Sequence, residues 1–151
     1  MKVSKKSEYG ARALVEIAMR SRNGEDWHQI AQIAEASRIP EKFLEQILLV
    51  LKNGGILKSR RGVDGGYALN ELPENIRLDR VVGLLDGDPV RNAKKPRAGD
   101  AADAGARIYH ELIQRAQEAA LTVLRQVSLN DLVEQVKKQR VVAGESLEYQ
   151  I

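Results

Sequence analysis

The chain contains no cysteine, and that zero removes three kinds of chemistry together. There can be no disulfide framework, no thiolate metal site and no cysteine nucleophile. Long apolar runs are missing too. The longest uninterrupted aliphatic stretch, Ile47-Leu48-Leu49-Val50-Leu51, falls far short of the roughly 20 residues of a membrane-spanning helix, and the N-terminus has no apolar signal core. These features read as a soluble cytoplasmic protein. Catalytic signatures are equally scarce. The P-loop pattern is absent, Gly65-Gly66-Tyr67 is too short for a dinucleotide fingerprint, and His110-Glu111 lacks the second histidine of a zinc-protease helix. No serine stands in a nucleophile elbow. The expectation is that the chain is not an enzyme.

What is present fits one domain-sized core plus one long extra element: 151 residues, 43% apolar and 30% charged. The net charge of +3 is unevenly spread. Residues 1–70 hold twelve Lys and Arg against eight Asp and Glu, whereas residues 71–151 hold twelve against thirteen. The positive excess therefore sits on the N-terminal half, as a phosphate-binding surface requires, although it is modest by itself.

Periodicity gives the elements. Tyr9, Ala13, Leu14, Ile17 and Ala18 repeat at three- and four-residue spacing, so 4–20 reads as an amphipathic helix with Ser4 as N-cap, stopped by Asn23-Gly24. Ile30, Ile33 and Ala34 suggest a short helix ending near Ser37. Pro40 opens a third helix, with Phe43, Leu44, Ile47, Leu48 and Leu51 as its buried stripe, and Asn53-Gly54-Gly55 ends it. Residues 56–58 and 67–69 read as hairpin strands, and Leu78, Val81, Val82 and Leu85 mark a fourth helix running to Asp86-Gly87. From Asp103 a helix on the order of 30 Å follows, with Ile108, Leu112, Ala116, Ala119, Val123 and Val127 along one side. That exceeds what a small winged domain can cover. Ser128-Leu129-Asn130-Asp131 caps a final short helix.

The hairpin carries the most information. Its turn and the start of its returning strand read Ser59-Arg60-Arg61-Gly62-Val63-Asp64-Gly65-Gly66-Tyr67. Adjacent arginines point to opposite sides of a strand, so one can enter a minor groove while the other meets the backbone. Gly62, Gly65 and Gly66 allow positive φ and a close approach to a sugar-phosphate chain. The preceding helix pair matches a helix-turn-helix, whose second helix lies in the major groove with its N-terminal residues at base edges. Here that end carries Glu41, Lys42, Glu45 and Gln46: a lysine for guanine or phosphate, a glutamate for cytosine N4 and a glutamine for adenine. Its unpaired N–H groups also face phosphate. An ordinary solvated helix face and an inert glycine hairpin are the plain alternatives. The two occurring in order favour DNA.

In order along the chain, Ser4-Lys5-Lys6, Glu8-Tyr9, Ala13-Leu14, Ile33-Ala34, Phe43-Leu44-Glu45-Gln46, Leu51-Lys52-Asn53-Gly54-Gly55, Lys58-Ser59, Arg61-Gly62 and Gly65-Gly66-Tyr67 resemble the bacterial winged-helix regulators of the Rrf2 family. The likeness is close over residues 1–87 and looser over 104–138. It implies a mainly α fold with a small β-hairpin wing and a long C-terminal dimerisation helix. It also implies a sequence-specific transcriptional regulator, a repressor, that binds a palindromic double-stranded operator as a homodimer. The positions it assigns to DNA are Lys42, Glu45 and Gln46 in the recognition helix, and Arg61, Gly65 and Gly66 in the wing. To these the residues themselves add Arg60 and the basic start Ser4, Lys5 and Lys6. The organisation expected is 1–86 for DNA binding, 87–103 as a flexible loop, 104–138 for dimerisation and capping, and 139–151 as a tail.

The chain departs from the family pattern in one respect. Many members hold an iron–sulfur cluster on three cysteines in the loop before the long helix, and this chain has none. No cofactor is therefore expected. Glu8 matches a position where some members supply a carboxylate ligand, and His28 and His110 are the only imidazoles; together they form the weak alternative of a metal sensor with non-cysteine ligands. The basic loop around Arg91, Lys94, Lys95 and Arg97 reads first as a solvated connector. Its other readings are a receiving surface for a protein or small-molecule effector and an added nonspecific DNA contact. Trp27, the single tryptophan, is expected to pack between the domain and the long helix, or to wall a ligand pocket. An adaptor that reuses the winged scaffold for protein contacts alone is the remaining alternative.

Overall fold

The computed structural model describes residues 3–22, 26–88, 99 and 103–144. The expected stop at Asn23-Gly24 and the basic cluster from Arg91 to Arg97 lie outside these residues. Helix α1 (Lys5–Arg20) starts where Ser4, in extended backbone, accepts the Ser7 amide at 3.3 Å. Helix α2 (Ile30–Ser37) is opened by a reciprocal cap between Gln29 and Gln32, and ends at Arg38 with φ 53°. That left-handed residue turns the chain sharply before Pro40 opens α3 (Glu41–Asn53). Strands β1 (Leu57–Arg60) and β2 (Gly66–Leu69) pair antiparallel, with Leu57 opposite Leu69 and Arg60 opposite Gly66. A 3-10 turn (Pro73–Asn75) leads to α4 (Leu78–Asp86), and the chain continues into α5 (Ala104–Gln126) and α6 (Leu129–Val142). The fold is thus mainly helical, a winged helix-turn-helix followed by a long C-terminal helix.

The core lies where α1, α2, α3 and α4 meet, around the fully buried Leu14, Ile17, Ile33, Leu44, Leu48 and Leu51. Leu129 and Val133 of α6 join the same cluster. Truncating one of these leucines to alanine costs about 2–5 kcal/mol in a typical core. The α5–α6 corner is stitched back to the start of α4. Leu78 donates to the Val127 carbonyl at 3.0 Å, and Leu129 donates to the Ile76 carbonyl at 2.8 Å.

Two expectations need correction. Phe43 is 62% exposed and takes no part in the buried stripe, which runs through Leu44, Ile47, Leu48 and Leu51. The reason is geometric: Phe43 is at the edge of the apolar arc in the first turn, and the described residues leave that edge uncovered. Residues 139–142 are the last turn of α6, not tail, because Arg140 reaches back to the buried Glu16 of α1 and Val136 packs on the core. The long helix behaves as its length implies: the apolar side of α5 runs past the domain and is uncovered. Its one buried side chain is Leu121, while Ile108, Tyr109, Leu112 and Val123 are each about 60% exposed. Among the described residues, no helix is long and apolar enough to cross a membrane.

Candidate nucleic-acid interface

The outward side of α3 begins with Glu41 and Lys42 and continues with Glu45 and Gln46, all exposed. Burial of Leu44, Ile47 and Leu48 against the core fixes the helix rotation, so these polar side chains have no choice but to face out. Across a groove of about 530 Å3 stands the start of α1. Lys5, Lys6 and Tyr9 line one wall; Phe43, Gln46 and Ile47 line the other. The basic start of α1 and the outward side of α3 therefore form one surface.

Ser4, the innermost of the three N-terminal candidates, is half-buried and has a structural task. Its amide donates to Asp86 Oδ2 at 3.0 Å, and its hydroxyl donates to Asp86 Oδ1, tying the start of α1 to the end of α4. Partial burial raises the Asp86 pKa, but the Ser4 hydroxyl and amide outweigh it and hold the carboxyl below its ordinary value. Lys5 donates to Glu8 at 2.8 Å and lies 5.7 Å from the Tyr9 ring centre. Lys6 is exposed.

The wing is more than a two-stranded hairpin. His28 pairs with Tyr67 of β2 in both directions, His28 N–H to the Tyr67 carbonyl at 2.9 Å and Tyr67 N–H to the His28 carbonyl at 2.8 Å. The segment before α2 thus acts as a third edge, anchoring the wing to the helix-turn-helix. Gln29 adds a side-chain bond to the Val63 carbonyl at 2.7 Å, inside the wing turn. This bridge was missed by sequence reasoning, because one paired residue between irregular segments leaves no alternation to detect.

The anchoring gives the two wing arginines different surroundings. The Arg60 guanidinium lies 4.7 Å from the centre of the Trp27 ring and donates to the Asp64 carbonyl within the turn. Lys58 sits 5.5 Å from the same ring. Trp27 therefore packs on the wing and not between the domain and α5, contrary to expectation; cation–π attraction to two strand residues decides its place. Arg61 is exposed beyond the end of β1. Gly65 and Gly66 are required by the protein itself. A Cβ on Gly65 would come within 2.2 Å of the Arg60 carbonyl oxygen, and one on Gly66, at φ 132°, within 2.2 Å of the His28 carbonyl oxygen. Gly62, at φ 105° with open space around it, is the one with room for an outside approach.

The three weak metal candidates are not brought together. Glu8 is paired with Lys5 and Arg12, and its pKa is lowered chiefly by the Lys5 hydrogen bond. His28 is buried beside the Ser21 hydroxyl, and burial lowers its pKa, with Arg20 adding to the effect. His110 lies along α5, its Nδ1 3.1 Å from the Ala106 carbonyl oxygen.

With this geometry in place, the likenesses are informative. The family model described as Rrf2, iron-dependent transcriptional regulator, matches residues 3–135. The chain is 32% identical over 132 residues to the HTH-type transcriptional regulator CymR of Bacillus subtilis, covering 87% of this chain and 89% of that one. Among solved structures it is similar to CymR (YrzC), the global cysteine regulator of B. subtilis, with a TM-score of 0.72 and 30% identity over 89% of this chain and 98% of the other. It is similar also to IscR of T. potens, with a TM-score of 0.72 and 26% identity over 93% and 91%. The family description names iron, and iron–sulfur clusters are held by thiolates. Cysteine is absent, and among the described residues no group of three His, Cys, Asp or Glu could hold a metal ion. The helix-turn-helix, its wing and the matched family together identify the chain as a member of the Rrf2 family of DNA-binding transcriptional regulators, and not an enzyme.

Proposed function

We infer that the chain acts as a homodimeric repressor on a palindromic operator, with α3 in the major groove and Arg61 in the adjacent minor groove. The observation that carries this reading is a shared outward surface: Lys42, Glu45 and Gln46 are exposed on one helix, and Lys5 and Lys6 face Gln46 across the groove. In such a site Glu45 accepts from cytosine N4, Gln46 pairs with adenine, and the lysines neutralise phosphate. Arg60, held on Trp27, keeps the wing in shape. Ser4 caps the helix that presents the lysines.

In the same reading, residues 1–86 bind DNA and α5 with α6 supplies the dimer contact and its cap. The uncovered apolar side of α5 supports a second copy as its cover, since each large apolar side chain removed from water contributes about 1.5–3 kcal/mol. Regulation then runs through a partner protein or small molecule and not an iron–sulfur cluster, because thiolate donors are lacking. Selecting bound sequences from a random duplex pool, with and without added metals, tests the whole. An enriched palindrome whose recovery ignores metals is expected. Enrichment of nothing refutes DNA reading by α3, and enrichment only with iron refutes the metal-free regulation.

A further inference from the structure

The groove between α1 and α3 holds a feature that hydrogen bonding and charge leave unused. Phe43 is the chain's single phenylalanine and is 62% exposed in the first turn of α3. It lies three residues before Gln46 on the same side of the helix. Ile47 below it is 2% exposed, and Tyr9 faces it across the groove, so the ring extends an apolar floor out to the surface. The rim is cationic, with Lys5 and Lys6 exposed.

We propose that Phe43 is a specificity-determining residue: its ring seats the C5-methyl group of a thymine next to the adenine read by Gln46, while Lys5 and Lys6 hold the flanking phosphates. The inference rests on the reading of α3 as the major-groove helix and adds to it a base that hydrogen bonding alone does not select. The chemistry is restrictive. Of the four bases, only thymine presents an apolar group in the major groove, and the edge of that groove is lined by phosphate. An apolar ring bordered by ammonium groups complements that combination. A second copy of this chain would bring like-charged lysines against one another, which makes it the poorer occupant.

The experiment uses the full-length protein and the palindrome recovered by selection. Each thymine of one half-site is replaced in turn by deoxyuridine, which deletes one methyl and nothing else. At one position, wild-type affinity is expected to fall about fourfold, the worth of one buried methyl. Phe43→Ala is expected to bind the unmodified duplex more weakly and to show no penalty at that position. Phe43→Leu, still apolar, should keep part of the penalty. Placing 5-methyldeoxycytidine for deoxycytidine at the same position in an otherwise weakened duplex should recover affinity for wild type and not for Phe43→Ala. The proposal is overturned if no methyl deletion is felt, or if the penalty is equal in Phe43→Ala. It is overturned also if Phe43→Ala changes the sedimenting mass, which would assign the ring to a protein contact. A chain that enriches no duplex defeats the α3 reading instead, so the two failures are distinct.

Discussion

Arg60 stacks on Trp27 and bonds within its own turn, whereas the neighbouring Arg61 is exposed past the strand. Substituting each by alanine therefore has different expected outcomes. Arg61→Ala should reduce specific operator affinity by about 1–3 kcal/mol while leaving the melting temperature nearly unchanged. Arg60→Ala should cost stability of about 0.5–1 kcal/mol through the lost ring contact, visible by calorimetry, and weaken binding only through a looser wing. Equal loss of binding without loss of stability in both would contradict the division. Retention of a protein partner by Arg61→Ala, with no DNA affinity in either chain, would favour the adaptor alternative.

His28 carries a second residue-scale consequence. Burial lowers its native pKa below the ordinary value, so the native state resists a proton that the unfolded chain accepts. The stability that neutral His28 contributes is complete above about pH 6.5 and is lost as pH falls through the lowered native value. Thermal unfolding followed from pH 7.5 to 5 should show this decline. His28→Gln, which cannot titrate, should show a shallower one. A variant that declines as steeply as wild type would remove His28 as the cause.

At the scale of elements, α5 makes the clearest statement. Its 23 residues span about 35 Å at 1.5 Å per residue, but the domain covers little beyond Leu121. Leu112 is 59% exposed in the single chain, so Leu112→Arg leaves the fold of that chain intact. If α5 pairs with a second copy, the buried guanidinium prevents it. Sedimentation should then show a dimer for wild type at micromolar concentration and a monomer for Leu112→Arg. Identical masses would refute pairing through this face.

The helices were legible in the sequence for a definable reason. Ser4, Pro40 and Ser128 are capping or first-turn residues beside strongly periodic apolar positions, and each opens its element where expected. Asp86 ends α4 before Gly87 at φ 82°, again as the residues suggest. What escaped depended on distant partners. The spacing of Phe43 to Ile47 fits a buried stripe, and only the arrangement of α1 beside α3 reveals that the first turn stays open. The position of Trp27 was hidden because it answers to Lys58 and Arg60, some thirty residues on. Gly65 and Gly66 were visible as necessary, but the atoms that require them, the Arg60 and His28 carbonyl oxygens, were not.

For the molecule as a whole, charge rather than contact area sets the expected behaviour on DNA. With Lys5, Lys6, Lys42 and Arg61 from each of two copies all meeting the duplex, the slope of log affinity against log salt approaches about −7. Arg61→Ala should lower its magnitude by about 1 per copy, measured by titration between roughly 50 and 200 mM salt. An affinity indifferent to ionic strength would be incompatible with the interface described.

One residue outside the DNA surface makes the wing observable. The chain has a single tryptophan, and it lies against the side chains of Lys58 and Arg60 in β1. All indole emission from the protein thus originates at the hinge between wing and helix-turn-helix. The molecule carries its own optical probe, and any displacement of the hairpin on meeting a duplex can be followed in real time by fluorescence, without a label.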